Sequence, residues 1–435
     1  MGSHDPGAGE WRDRDPASLA DGGVNPNAIL ARSIAEARPR VLAALAVRLG
    51  DIDLAEEAFA EAGARCLASA SPPPTNLAAW LMTVARRHAI DTIRRRGAEA
   101  RALADSARLA EMTDTADILI LPEPIPDERL RLIFICCHPA IAPEARAALA
   151  LKVICDLPVE RIAQLFLTSE QAMYQRITRA KSKLREAGIA FELPPRKAWG
   201  ERLDAVLLTL ELAYTAAYAD AGGSEAGNAG GELAGEIERL ALMLAELLPG
   251  EPEVLGMAAL VALARSREGA RVDADGAMVP LSQQDTALWD RTRIARARSL
   301  LDEAARAGRS GAYQVMAAIQ LTHARRVFGR AVDWRAILAL YDALAAMRPG
   351  PVVALNRALA LAQLEGPAAA LEAVEALGEA IGHARPWLVA RAQLLEAAGE
   401  GEAACAALDR ALATKPAQAE RRWLESWRAR LAGAG

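Results

Sequence analysis

A chain of 435 residues exceeds the size of one ordinary domain, and 52% hydrophobic residues give it the material for sizeable cores. Aromatics make up only 4%, and Ala, Leu, Arg and Glu dominate while the β-formers are scarce, which argues against a sheet protein and for an all-α one. The net charge of −5 excludes a uniformly basic nucleic-acid binder, and five cysteines (Cys66, Cys136, Cys137, Cys155, Cys405) exclude a secreted disulfide framework. Charges segregate along the chain: residues 1–197 hold 26 basic and 26 acidic groups, and 198–435 hold 25 and 30. Residues 51–61 carry five carboxylates and no cation, whereas 86–101 carry six arginines against two acids. Such separation suits a protein that touches both a basic surface and a nucleic acid. No apolar run reaches the ~18–20 residues of a membrane span, and the polar start lacks the apolar core of a leader. The expectation is a cytoplasmic protein with no membrane contact.

In chain order, residues 1–26 are rich in Gly, Asp, Pro and Arg and read as a disordered tail. A helical region follows over 27–101, broken at SPPPTN, where Thr75 or Asn76 can cap the next helix. That helix, LAAWLMTVARRHAIDTIRRR, puts Trp80, Leu81, Val84, Ile90 and Ile93 near helical spacing and leaves the arginines outward. Residues 102–127 form an acidic linker ending in LPEPIPDER, which its prolines keep extended. A second compact unit spans 128–192. In it, DLPVERIAQLFLTSEQAMYQRITRAKSKLREAG reads as a short helix, a tight turn and a longer helix. Asp156 and Pro158 mark the first start, and residues 168–171 fit a capping box for the second. Ala163, Leu167 and Ile177 stand where the two helices cross.

Beyond the ELPPRK joint, 198–300 predicts a helical extension interrupted by a flexible GGSEAGNAGGE stretch and by an ordered loop or small hairpin over 271–291, with Asp275-Gly276 as the turn. Residues 301–430 repeat: an offset of 35 pairs Pro351 with Pro386, Leu359 with Leu394, Gly366 with Gly401, Ala369 with Ala404 and Leu377 with Leu412. A period near 34 with Ala404, Leu408, Ala411 and Pro416 is the pattern of tetratricopeptide-like helical hairpins, set against a generic Ala/Leu bundle that repeats by composition.

Residues 171–197 carry seven basic side chains against two acidic ones. Ser169, Gln171, Ala172, Tyr174 and Gln175 open the second helix with groups suited to base edges, and Arg176, Arg179, Lys181 and Lys183 suit phosphates. The alternative is an amphipathic hairpin with a solvated basic face. Cys136, Cys137 and His138 are adjacent but lack a second ligand pair at zinc spacing, and no nucleotide-binding or nucleophile motif is visible. No cofactor, metal or catalytic group is expected.

The succession of the acidic helix DLAEEAFAEAGARCL, the Arg-rich helix, the acidic linker and the basic helix-turn-helix resembles the extracytoplasmic-function sigma factors of RNA polymerase. DERLRLIFICCHPAIAPEARAALALK, ARVDADGAMVPLSQQDTALWDR and the repeat tail resemble the subgroup with a long C-terminal extension. The resemblance implies two small helical sigma domains followed by a tetratricopeptide-like extension. It implies that Asp53, Leu54, Glu56, Glu57 and Glu61 dock on the clamp helices of the polymerase largest subunit, with the flap region as a second polymerase contact. Arg86, Arg87, His88, Asp91, Arg94, Arg95 and Arg96 would open and hold the minus-ten element, Arg87 standing where family members often have Asn. The helix-turn-helix would read the minus-thirty-five element. The linker would thread the polymerase channel or act as a plain tether. Asp273, Asp275, Gly276, Gln284, Asp285, Trp289 and Asp290 would form a regulatory loop, and the extension would contact the sigma domains or a regulatory protein. The competing readings are a helix-turn-helix regulator whose repeats bind a protein or ligand, and an enzyme using Cys136, Cys137 and His138.

Overall fold

The computed structural model describes residues 26–69, 74–99, 127–166, 168–187, 191, 198–220 and 226–433. They are all-helical, as the composition predicts; the described residues contain no strand, and one isolated antiparallel bridge joins Val272 to Met278. The chain divides into two units, Met1–Leu119 and Ile120–Gly435.

In the first unit, α1 (Pro26–Leu49), α2 (Ile52–Ala68) and α3 (Leu77–Glu99) pack on one another. Gly50 adopts φ +64°, a left-handed conformation that only glycine takes without cost, and so permits a turn of two residues between α1 and α2. Asp51 caps α2 by accepting from Leu54 N at 3.1 Å, and Asn76, rather than Thr75, caps α3 by accepting from Ala79 N at 3.1 Å. Leu42, Leu45, Ala58, Phe59, Leu81, Ala85 and Ala89 close the core.

The second unit opens with α4 (Glu128–Cys136), α5 (Pro143–Ile154), α6 (Val159–Leu165) and α7 (Glu170–Glu186). These pack against the next helix, α8 (Gly200–Asp220). Phe134 and Trp199 meet with ring centroids 5.1 Å apart, and Arg202 Nη1 donates to Phe134 O at 2.9 Å, closing the C-terminal end of α4. Asp127, which caps α4, also pairs with Arg129 (2.9 Å) and with Arg239 of α9 (Ala226–Leu247).

The start of α9 differs from expectation: residues 226–232 of the Gly-rich stretch are helical, and 221–225 lie outside the described residues. One glycine of α9 beyond that stretch answers close packing. A Cβ on Gly235 would lie 2.8 Å from Arg265 Nη1, where α10 (Pro252–Arg265) holds the Arg265–Glu238 pair at 3.3 Å.

Six longer helices follow as successive hairpins, α11 (Arg291–Arg306), α12 (Ala312–Ala324), α13 (Trp334–Met347), α14 (Pro351–Glu365), α15 (Pro367–Glu375) and, after the short α16 (Gly378–Ile381), α17 (Arg385–Ala397). The pair α18 (Gly401–Ala413) and α19 (Gln418–Ala432) ends the chain. The 35-residue offset has a structural counterpart: Pro351 and Pro386 open α14 and α17, and Gly366 and Gly401 stand at the starts of α15 and α18. Small and large apolar residues interlock, as in the cluster of Leu355, Ala358, Ala370, Leu394, Ala407, Leu408 and Leu424. One cap comes from a neighbouring helix. Gly311 gives α12 no side-chain cap, and Glu253 of α10 accepts instead from Tyr313 N (3.0 Å) and Gln314 N (3.2 Å). Gly256 lets α10 and α12 approach, since a Cβ there would lie 2.6 Å from Gln314 N.

Candidate nucleic-acid interface

The hairpin of α6 and α7 sets one helix face outward. Pro158, not Asp156, precedes the first turn of α6; Asp156 takes φ +52° and pairs with Lys152 at 3.3 Å, so it turns the chain and does not cap. Thr168 N donates to Ala163 O at 3.0 Å, closing the turn. The cap of α7 is shifted by one residue from the predicted box: Ser169 accepts from Ala172 N at 3.3 Å, which moves Gln171 off the reciprocal position. Leu167 lies outside the described residues.

Met173, Ile177, Ala180 and Leu184 are buried at 0–5% exposure and fix the rotation of α7. The opposite face presents Gln171, Gln175 and Thr178, all exposed. Their side chains have no hydrogen-bond partner among the described residues. Exposed Arg179 and Lys183, with half-buried Arg176, lie to one side and line a cleft of about 380 Å³ against residues 140–142, Glu144 and Ala145 at the start of α5. Tyr174, 64% exposed, Lys181 and Arg185 lie to the other side. Polar groups free to bond, with cations on both flanks, match what a duplex groove offers: base edges between two phosphate rows. Ala172 is half-buried and serves the cap through its backbone. Thr178 and Arg185 are missing from the sequence-based set, although steps of three and four residues from Gln171 and Gln175 would have reached Thr178.

In the first unit, Arg86, Arg87, Asp91, Arg94 and Arg95 are exposed along α3, and Trp80 is half-buried. The side chain of Arg96 lies outside the described residues. His88 is half-buried, with Nε2 3.8 Å from Glu57 and 3.4 Å from Thr92 Oγ1. On α2, Leu54 is 4% exposed and belongs to the core; Glu61 pairs with Arg65 at 2.7 Å and Glu56 with Arg38 at 3.9 Å, leaving Glu57 exposed and Asp53 half-buried.

The carboxylates of loop 271–291 act as local caps. Asp273 Oδ1 accepts from Asp275 N (3.0 Å) and Ala277 N (2.8 Å) around Gly276 at φ +75°, making the hairpin turn. Asp285 accepts from Ala287 N at 2.8 Å; Asp290 accepts from Thr292 N and Arg293 N and caps α11, and the Arg293 N–H holds its carboxyl below the ordinary value. Gln284, 5% exposed, donates to Val279 O at 3.0 Å. Trp289, 3% exposed, lies against the guanidinium groups of Arg267 and Arg326 at 5.9 and 5.6 Å. The adjacent thiols are core groups: Cys136 and Cys137 are fully buried, and burial pushes Cys137 up to about 12, which keeps it protonated and unreactive. His138 uses Nδ1 to accept from Ala140 N at 3.1 Å at the end of α4.

Comparison with known proteins bears directly on this hairpin. Residues 131–184 match the family described as Sigma-70, region 4, and residues 202–305 match a family of unknown function, DUF6596. The uncharacterized protein R00370 of Rhizobium meliloti (strain 1021) is 41% identical over 386 residues, spanning 88% of this chain and 90% of that one. The chain belongs to the family of that protein. No solved structure matches it. The chain therefore carries a sigma-70 region 4 domain, a non-enzymatic type that implies sigma-factor-like binding of promoter DNA and RNA polymerase, followed by a DUF6596 region. The region 4 match covers α4 to α7, and DUF6596 begins on α8, the helix that packs against them. No described helix is long and apolar enough to cross a membrane.

Proposed function

We propose that this protein is an extracytoplasmic-function sigma factor that binds core RNA polymerase, directs it to specific promoters and aids strand opening, with its tetratricopeptide-like extension regulating initiation from the cytoplasm. The observation that carries the reading is the outward row of Gln171, Gln175 and Thr178 flanked by cations on a region 4 helix-turn-helix. In this reading Ser169, Tyr174, Arg176, Arg179, Lys181 and Lys183 position that helix on the minus-thirty-five duplex. Arg86, Arg87, His88, Asp91, Arg94, Arg95 and Arg96 serve the minus-ten element. Exposed cations on α3 suit a strand backbone, and the carboxylates Asp53, Glu56, Glu57 and Glu61 offer the polymerase clamp an acidic face. Asp273, Asp275, Gly276, Gln284, Asp285, Trp289 and Asp290 belong to the regulatory extension, and their caps and packing support a structural part in it.

Transcription in a purified system tests this. The chain is expected to co-purify with core RNA polymerase and to drive promoter-specific initiation without ATP hydrolysis, and removal of 351–435 is expected to change promoter output. A chain that forms no polymerase complex yet shifts duplex DNA unaided is a helix-turn-helix regulator instead.

A further inference from the structure

We infer that Thr178 is a third base-reading residue of α7, its hydroxyl bonding a base edge one helical turn beyond the base read by Gln175. The inference rests on the reading of this hairpin as a promoter-DNA reader. Three observations support it. First, the buried stripe of Met173, Ile177, Ala180 and Leu184 fixes the rotation of α7, so that residues 171, 175 and 178 share the outward face. Second, the Thr178 hydroxyl is left free. In the other helices Thr83, Thr209, Thr215 and Thr322 each donate to the carbonyl four residues earlier, at 2.7–2.9 Å. Thr178 makes no such bond and has no other partner among the described residues. A helical threonine either bonds the carbonyl four residues earlier or turns its hydroxyl to solvent; Thr178 does the second, on the face opposite the core, where the hydroxyl is available to an outside acceptor or donor. Third, the row ends there. Ser182, one turn further, accepts from Arg185 Nη2 at 3.4 Å, and Arg179 and Lys183 turn toward the cleft beside α5.

From Gln171 to Thr178 the helix rises about 10 Å at ~1.5 Å per residue, which matches about three base-pair steps at ~3.4 Å each. The flanking cations hold the backbone on either side, so a short side chain at this position meets base edges before it meets phosphate. Ser and Thr hydroxyls bond a base as donor or acceptor, so this contact adds preference at one position without changing the charge that positions the helix.

The test is selection of a duplex library, randomised over the upstream promoter element, by the full-length chain bound to core RNA polymerase. Wild type, Thr178→Val and Thr178→Ser are compared, with Gln175→Ala as a control. Valine keeps the branched shape and removes only the hydroxyl; serine keeps the hydroxyl. Thr178→Val is expected to lose about five- to tenfold of preference at one base position, the worth of one hydrogen bond or slightly more, while Thr178→Ser stays within about twofold of wild type at that position. Gln175→Ala is expected to lose preference at a neighbouring position. Unchanged preference in Thr178→Val, an equal loss for every sequence, or a loss in Thr178→Ser matching that in valine overturns the inference and leaves the promoter-reading assignment standing. A wild-type complex that selects no sequence overturns both.

Discussion

At the scale of single residues, His323 shows how the extension uses buried charge-neutral groups. It packs edge-on against Trp334, with ring centroids 5.4 Å apart. Burial first, and then the nearby guanidinium groups of Arg267 and Arg326, pull it down to about 4 from 6.5. The folded chain thus holds His323 neutral at pH values where the unfolded chain binds a proton. Its share of stability is complete above pH 6.5 and declines as pH falls from there toward 4, by at most about 3 kcal/mol. Thermal melting at pH 7.5, 6.0 and 5.0 should show a smaller fall for His323→Gln than for wild type. An equal fall would assign the pH dependence to other groups. The same scale holds the cross-helix cap by Glu253, which no local sequence pattern announces because donor and acceptor lie about 60 positions apart.

At the scale of elements, loop 271–291 is ordered without regular structure because a single guanidinium gathers its carbonyls. Arg326 donates to Leu281 O (2.6 Å), Ser282 O (3.1 Å) and Gln284 O (3.2 Å) and covers the ring of Trp289. A planar fork with several donors can serve three acceptors and a ring at once; an ammonium on a flexible stem cannot. Arg326→Lys is therefore expected to cost about 1 kcal/mol, the low end of the range for acceptors losing a charged donor, because these carbonyls are only partly buried. Faster amide hydrogen exchange over residues 281–289 than over α17 would localise the effect. Uniform exchange across the extension would show that Arg326 does not hold the loop. Position 326 looks like any surface arginine in the sequence, since its partners lie 42 to 45 residues away.

At the scale of the whole second unit, two long-range links make one body of parts that the sequence suggests are separate. The last helix returns to the loop, where Ala419 O accepts from Met278 N at 2.9 Å and Arg422 donates to Asp275 O. At the other end α4 shares its core with the start of α8 through Phe134 and Trp199. Trp199, 1% exposed, joins the two halves of that core. Its replacement by alanine is expected to cost about 3–5 kcal/mol in urea unfolding, as for other large aromatic side chains removed from a core. Melting of α4 to α7 and of α8 in one transition, followed by hydrogen exchange, is the expected pattern; two separate transitions would show independent domains. The helix proposed to read DNA packs on α5, and α5 packs in turn on α8, which gives the proposed regulation a physical route through α5.

The sequence by itself determined what depends on neighbours a few residues apart. Composition set the all-helical class, Pro and Asx residues marked α3, α14 and α17, and the basic polar run of 169–183 marked the helix proposed to read DNA. These signals are local because helix propensity, capping and amphipathic spacing act within one or two turns. Where local chemistry left a choice of one residue, it misled: residues 168–171 read as a capping box, and the structure gives the cap to Ser169. Residues 226–232 read as part of a flexible stretch and proved to be helical. Tertiary structure alone decided which polar groups remain free. Glu56 pairs with Arg38 of α1, Leu54 is in the core, Asp127 is held by Arg239 of α9, and Gln171, Gln175 and Thr178 are left without partners. A side chain's freedom to bind something else depends on every group within hydrogen-bond reach, and many of those groups come from distant parts of the chain, as Arg239 does for Asp127.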